Sequence, residues 1–502
     1  MKVEDRGAAT SRTGSSPPGK VIPIVPTTEE VALYEIRKTI HPRAVHGWFA
    51  AWRWALVFAT QAVFYGLPWL TWNGRQAVLF DLAARKFYLF GAVFWPQDVI
   101  YLAVLLILSA LSLFLFTAVA GRLWCGYACP QTVYTEIFLW IERKIEGDRL
   151  ARVRLDAAPM SLEKFLIKAL KHTAWLTVAL WTGYTFVGFF TPIRDLGVRA
   201  ITWQLGPWET FWILFYGFAT YGNAGWLREQ VCKYMCPYAR FQSVMFDKDT
   251  LVITYDRGRG EPRGGRAKSV DRREKGLGDC VDCDICVQVC PTGIDIRNGL
   301  QYECIGCAAC IDGCDQVMDK MGYPRGLIRY TTENALAKGL TTRAMWKRVF
   351  RPRTLVYASV LFAITAVAAA SLAMRNPLKV DILRDRGALA REASPGQIEN
   401  VYRMQIMNTD EHPRRYTIGA SGLPGLEVVG VELPVEVDAA STRLFALRLR
   451  APLEPVGGAA PTPGPHKIEL TIQAVGKREN GDHWEHDDEV VRHEQSTFII
   501  PR

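Results

Sequence analysis

The placement of cysteine constrains this 502-residue chain more than any other feature, because all 12 cysteines lie between Cys125 and Cys314. Eight of them form two consecutive C-x2-C-x2-C-x3-C runs: Cys280, Cys283, Cys286 and Cys290, then Cys304, Cys307, Cys310 and Cys314. Three thiolates so closely spaced lie on a tight loop that caps three corners of an iron–sulfur cubane, and the fourth corner is reached from elsewhere. Each run therefore lends its last cysteine to the other site. That assigns Cys280, Cys283, Cys286 and Cys314 to one 4Fe-4S cluster, and Cys290, Cys304, Cys307 and Cys310 to the other. Pro291 follows the first run as the pattern expects, whereas Asp315 follows the second, a departure that bears on the local turn and on the potential. The small residues Gly306, Ala308 and Ala309 are expected to leave room around the second cluster. A structural zinc site would pair two C-x2-C knuckles across a longer gap, and disulfides are disfavoured in a reducing compartment. Two centres this close in sequence imply one-electron relay chemistry.

Five stretches lack charge for long enough to cross a bilayer, at 54–74, 99–121, 173–193, 210–227 and 354–374; a span needs roughly 20 apolar residues. The fourth is the weakest, and its Gly and Asn residues suggest close helix contacts or a lining role. The apolar run 87–95 is too short to span and is expected to lie along the interface. Lys and Arg number nine in 122–171 and 22 in 228–353, against three in 73–97 and two in 191–207. The positive-inside rule then places the N-terminus and both basic segments in the cytoplasm, and the chain after the fifth span on the opposite side. The same topology accounts for the basic charge, so nucleic acid is not expected as a partner. The first 46 residues are polar, without the apolar core of a cleavable signal, and SRTGSSPPGK reads as a flexible tail.

The other four cysteines form two matched motifs, RLWCGYACPQTVY (Cys125, Cys129, Pro130) and EQVCKYMCPYARF (Cys232, Cys236, Pro237). Each follows a span that exits on the cluster side. Spacing i to i+4 puts both sulfurs of a pair on one helical face. The proline suits the first position of a new helix, whose N-terminal dipole favours thiolate at Cys129 and Cys236. Four soft thiols suit copper(I), with Met235 as a thioether neighbour. Ordinary apolar cysteines at helix ends, or transient dithiol–disulfide exchange, are the alternatives on the residues alone. Only His172 lies close to a span, so a haem held by two histidines lacks ligands. A Rossmann or P-loop signature is missing from any convincing strand–helix context, which speaks against nicotinamide or ATP. The segment 257–266 reads as a flexible connector.

After the fifth span the charge reverses. Residues 1–379 carry 46 Lys+Arg against 31 Asp+Glu, whereas 380–502 carry 14 against 19 and no cysteine. Segments such as VYRMQIMNTD, RRYTIGA, TRLFALRLRAP and HKIELTIQAV alternate apolar with polar residues, as about seven short strands of a sandwich do. His483, His486 and His493 read as a solvated polar loop rather than a metal site. The expected fold is a membrane α-helical bundle of five spans, with an inserted ferredoxin-like two-cluster domain and a C-terminal all-β immunoglobulin-like sandwich. Its parts are a cytoplasmic tail at 1–47, four spans with both Cys-x3-Cys-Pro motifs at 48–250, the cluster domain at 251–350, the fifth span at 351–376 and the β domain at 377–502.

The strings WCGYACPQTVYTEIFLWIERKIEGDR and CKYMCPYARFQSVMFDKDTLVITYDRGRGEPRG, together with the double cassette and the β tail, resemble the cytochrome c oxidase accessory protein family, known as CcoG, FixG and RdxA. The resemblance covers nearly all the chain beyond the first thirty residues. It implies a protein of the bacterial cytoplasmic membrane with two 4Fe-4S clusters and a periplasmic immunoglobulin-like domain. It further implies cupric reduction in assembly of the cbb-type oxidase, with Cys125, Cys129, Cys232 and Cys236 as the copper-handling thiols. Oxidase subunits or copper chaperones would be partners; the electron donor stays open, as does a homo-oligomer. Competing readings are a quinol-linked conduit to a periplasmic reductase and a non-enzymatic assembly scaffold.

Overall fold

The computed structural model describes residues 39–270, 275–384, 390–394, 396–453, 462–477 and 484–501. Helix α1 (Trp48–Gly66) comes first. It does not continue through 54–74 as expected: Pro68 disfavours helix at the residue before it, and the chain passes through a 3-10 turn, Leu67–Trp69, into strand β1 (Thr71–Trp72). β1 pairs with β2 (Arg75–Gln76), and β3 (Val78–Asp81), β4 (Lys86–Leu89) and β5 (Ala92–Phe94) form a small meander. The apolar run 87–95 is thus a hairpin within this meander. Its residues alternate, and Val93 and Trp95 bury against Met407 of the β domain.

Helix α2 (Val99–Ala120) is followed by the short α3 (Leu123–Tyr127), then α4 (Pro130–Glu146), α5 (Arg149–Ala157), α6 (Leu162–Val187), α7 (Ile193–Ile201) and α8 (Pro207–Thr220). π-helical turns at Tyr221–Leu227 and Val231–Met235 lead to α9 (Pro237–Met245). Helix occupies each of the five charge-poor stretches. Among the described residues, Pro96–Ala120, which contains α2, and Pro352–Ala373 are the two helices long and apolar enough to cross a membrane by length and composition. The glycines of the fourth stretch serve close packing: a Cβ on Gly183 of α6 would lie 2.2 Å from the Ile213 carbonyl oxygen of α8, and one on Gly217 would lie 3.0 Å from Leu180. Buried ion pairs tie α4 to its neighbours. Glu142 binds Arg152 at 3.0 Å and Arg228 at 2.5 Å, while Glu146 binds Lys168 and Lys171, both at 2.9 Å. Charges so deeply buried persist only when paired.

The cluster domain begins at β6 (Val252–Tyr255) and is closed by β7 (Ile328–Thr331), which pairs antiparallel with it across the whole cassette. Between them lie α10 (Arg257–Gly260), α11 (Ile285–Gln288) and α12 (Ala309–Met321); α13 (Glu333–Lys338) and α14 (Thr342–Lys347) follow. The connector 257–266 is held firmly rather than flexible. Arg259 pairs with Asp279 at 2.5 Å, and Arg266 donates to the carbonyls of Gly278 at 2.7 Å and Cys280 at 3.2 Å. The tail ends earlier than residue 47, because Arg43 N–H donates to Gln288 O at 2.8 Å and Ala50 N–H to Asp312 Oδ2 at 2.7 Å. Asp312 of α12 thus caps the open N-terminus of α1 from another part of the chain.

Helix α15 (Pro352–Ala373) returns antiparallel beside α2. At one end Arg351 donates to Ala118 O at 2.7 Å; at the other the Tyr101 and Ser371 hydroxyls lie 3.0 Å apart. The cluster domain adjoins the first end and the β domain the second. There Asp98 binds Arg375 at 2.7 Å and also Lys379, while Arg75 binds Glu411 at 2.9 Å. The β domain is a sandwich. One sheet orders β12 (Glu427–Val429), β14 (Thr442–Pro452), β10 (Gln397–Asn408) and β8 (Leu378–Arg384), with β9 (Arg391–Ser394) also on β10. The other orders β13 (Val435–Val437), β11 (Arg414–Ser421), β15 (Gly464–Lys477) and β16 (Trp484–Ile500). Tyr402, Tyr416, Leu447, Leu470 and Phe498 fill the space between. The strands are not uniformly short: β15 and β16 run 14 and 17 residues. His493 lies on β16, with Nδ1 3.1 Å from Glu469, so it is not in a loop; His483 and the His486 side chain lie outside the described residues.

Candidate metal centres

The two cysteine runs fold as a structural repeat. Left-handed residues occupy equivalent positions in each: Asp282 (φ 53) and Asp284 (φ 54), then Gly306 (φ 72) and Ala308 (φ 58). Each reverses the local course of the backbone, so the three cysteines converge. Cys280, Cys283, Cys286 and Cys314 line one void of about 20 Å³. Cys290, Cys304, Cys307 and Cys310 line a second of the same size, which Cys286 also borders. These are the sets that the spacing assigns. Pro291 helps stop α11 after one turn, whereas Asp315 lets α12 continue, its carboxylate accepting Gly326 N–H at 2.9 Å. Helix α12 thereby carries Cys310 to the second void and Cys314, one turn on, to the first.

Among the described residues no three His, Cys, Asp or Glu side chains are grouped to hold a single ion. Four thiols spread around a void are instead what a cubane requires, because its irons sit at separate corners. Burial raises the Cys286, Cys304 and Cys314 thiols to about 12. Metal binding is therefore what would hold them as thiolates. The donor set and the voids fit two 4Fe-4S groups.

The second void lies against α1 and α3. A Cβ on Gly126, in the first Cys-x3-Cys-Pro motif, would lie 2.7 Å from Gly306 O and 2.9 Å from Cys307 Cα. Only glycine permits that approach. Of the small residues here, Gly306 serves this close contact, while Ala308 lines the second void. Arg53 of α1 donates to Cys307 O at 2.7 Å, and Arg122 to the carbonyls of Tyr302 and, at 3.3 Å, Cys304. Cys125 and Cys232 both pack on the shell of Val289, Ile305, Cys307 and Ala309.

The two motifs therefore meet in space, and they close alike. Cys129 N–H donates to Trp124 O at 3.0 Å, and Cys236 N–H to Val231 O at 2.8 Å, each five residues back. Cys129 and Cys236 are the N-caps of α4 and α9, with Pro130 and Pro237 at the first helical position. The i to i+4 face is corrected. Helix α3 ends before the extended Cys129, and the second motif winds as a π-turn, because a residue before proline avoids helical backbone. Thiolate does not prevail at Cys129 without metal: burial raises it, and the N–H groups of Gln131 and Thr132 only offset this. Burial likewise raises Cys125 and Cys232 to about 12, with the neighbouring motif cysteines adding to it. The Cys125 thiol donates to Gln242 Oε1 at 3.3 Å, and Gln242 is fully buried. Met235, expected beside these thiols, is 59% exposed. His172 joins an aromatic group, its Nδ1 3.0 Å from the Tyr221 hydroxyl.

Sequence reasoning missed Arg53, Arg122, Gln242 and Arg297. Arg53, a lone charge at the edge of an apolar stretch, was the one readable signal. Arg297 braces the first run, reaching Asp282 at 2.7 Å, Asp284 at 2.6 Å and Asp295 at 2.7 Å.

Three family models match the chain: a 4Fe-4S dicluster domain at residues 227–333, a 4Fe-4S binding domain at 102–147 and the IG-like fold at the C-terminal of FixG at 368–501. The chain is 40% identical over 423 residues to the nitrogen fixation protein FixG of Rhizobium meliloti, covering 78% of this chain and 81% of that protein. It is 40% identical over 444 residues to protein RdxA of Cereibacter sphaeroides, covering 85% and 92%. To the ferredoxin-type protein NapH of Haemophilus influenzae it is 25% identical over 231 residues, covering 43% and 68%.

Proposed function

Because this chain belongs to the FixG/RdxA family of membrane-associated iron–sulfur electron-transfer proteins, we propose that it reduces Cu(II) to Cu(I) for assembly of the cbb-type cytochrome c oxidase. The observation that carries this reading is the packing of Cys125 and Cys232 on the shell of Cys307. A 4Fe-4S group held by Cys290, Cys304, Cys307 and Cys310 supplies one-electron transfer at that wall. Cys125, Cys129, Cys232 and Cys236 receive Cu(II); one electron makes it Cu(I), the state that thiols favour. Burial keeps the metal-free Cys125, Cys129 and Cys232 thiols protonated, so copper displaces protons on entry and leaves with their return. Arg53 and Arg122 hold the second cluster loop against α3 by its carbonyls.

All five charge-poor helices span the cytoplasmic membrane in this reading. The basic segments and both centres face the cytoplasm, and the β domain faces the periplasm. The placement of cluster domain and β domain at opposite ends of the α2–α15 pair supports it, as does the bias of Lys and Arg. The β domain then offers a docking surface for an oxidase subunit or a copper chaperone.

Replacing Cys125, Cys129, Cys232 and Cys236 by alanine should abolish Cu(II) reduction by the anaerobic full-length protein and leave its iron content intact. Persistent reduction, or loss of iron as well, overturns this division of labour.

A further inference from the structure

A cavity of about 1280 Å³ lies between α1, α4 and α6. Its walls run from the second cluster loop to the outer surface of the helices. At the inner end stand Cys307, Cys232, Arg53 and Glu136. At the outer mouth stand Phe58, Trp140 and Trp181, which are 68%, 43% and 45% exposed on helices that this reading places in or beside the bilayer. A third edge, at Arg43 and His46, is exposed on the side of the cluster domain.

Two polar groups at the inner end keep hydrogen-bonding capacity unused. Arg53 is 7% exposed; one of its amino groups is bound to Cys307 O, but its Nε is buried without a hydrogen bond. Glu136 is half-buried and makes no hydrogen bond or ion pair among the described residues. It lines the same cavity as Cys307, a ligand of the second centre, and Arg53, whose amino group binds the Cys307 carbonyl. A buried donor and a free carboxylate beside a redox centre, at the end of a cavity with an aromatic, lipid-facing mouth, suit one class of ligand. That ligand has a flat ring with oxygen at both ends and a long apolar tail.

We propose that this cavity binds a lipid-tailed quinol, which is the electron donor of the protein. The inference rests on the electron-transfer reading above and names the reductant that reading leaves open. Oxidation of one quinol to quinone breaks two O–H bonds and releases two electrons and two protons. 4Fe-4S groups held by Cys280, Cys283, Cys286 and Cys314 and by Cys290, Cys304, Cys307 and Cys310 would each accept one of the two electrons, so that a pair of one-electron centres would match a two-electron donor. Glu136 accepts the protons in turn and passes them to water at the Arg43–His46 edge. Arg53 Nε donates to the ring oxygen. Two Cu(II) ions are then reduced for each quinol oxidised.

The test uses the full-length protein in lipid nanodiscs without oxygen. A photoreactive ubiquinone analogue should label peptides of α1 and α4, and excess unlabelled ubiquinone should suppress the labelling; this readout needs no turnover. Ubiquinol should bleach the cluster absorbance, and Glu136→Gln should slow that bleaching about 100-fold while dithionite reduction and iron content stay unchanged. Phe58→Ala at the mouth should weaken ubiquinone competition several-fold and leave dithionite-driven copper reduction unaffected. Labelling that phospholipid alone suppresses assigns the cavity to lipid and overturns the proposal. So does an absence of ubiquinol bleaching in protein that dithionite still drives to reduce Cu(II), which leaves the copper reading standing. Ubiquinol bleaching without any Cu(II) reduction has the opposite meaning: the quinol site stands and the copper reading falls.

Discussion

Around the first cluster void charge is concentrated at the solvent edge: Arg297 clamps three aspartates, and Cys283 is exposed. Around the second the neighbours are backbone carbonyls, glycines and the thiols Cys125 and Cys232, and Cys307 is buried. Both runs share spacing, left-handed residues and void size, yet one faces water and the other packs on α1 and α3. Spacing decides that a cysteine run can hold a cluster; its surroundings decide what the cluster can exchange electrons with.

The sharpest way to break that comparison is to remove one centre at a time. Cys310→Ala should cost about half of the iron of a two-cluster protein and bring Cu(II) reduction to background. Cys283→Ala should cost the same iron and leave slower but measurable copper reduction, read by anaerobic iron assay and a Cu(I)-chelator assay. Equal loss of copper reduction in the two variants would erase the distinction. Next in size is Gly126→Ala, which forces apart the contact between α3 and the second loop. Overpacking of this kind costs about 1–3 kcal/mol, so a lower Tm and impaired copper reduction are expected, with the EPR signal of the first centre unaltered.

A pH titration sharpens the first side of the comparison. The Arg297 guanidinium hydrogen-bonded to Asp295 holds that carboxyl below its ordinary value. A depressed carboxyl contributes stability above its unfolded pKa and loses it as pH falls towards the folded one. The wild-type first centre should therefore survive to lower pH than in Arg297→Ala, followed as cluster absorbance against pH, while the second centre is indifferent. Coincident bleaching curves would deny Arg297 this role. The smallest expected effect is that of Met235→Leu. At an exposed site it should change copper reduction by less than about twofold; a larger loss would return Met235 to the thiol site.

Much of the site was legible because cysteine spacing acts locally. The ligand sets, the N-cap positions of Cys129 and Cys236 and the helices at the charge-poor stretches all follow from neighbours in sequence. The hairpin at 87–95 was missed because short apolar runs suit strand and interface alike, and the end of α1 because a single Pro68 overrode an apolar composition. The long strands β15 and β16 were cut short in the reading because polar residues on a solvent-facing strand look like turns.

From the sequence alone came two cubane sites with named ligands, a matched pair of thiol motifs and a β domain of opposite charge, since each depends on residue identity and short spacing. Tertiary structure alone decided that both thiol motifs meet at the second void, that Arg53, Arg122 and Gln242 serve that junction, and that a cavity between α1, α4 and α6 reaches it. Those contacts join residues more than a hundred positions apart, and close packing of glycine against backbone leaves no periodic trace by which a sequence could announce them.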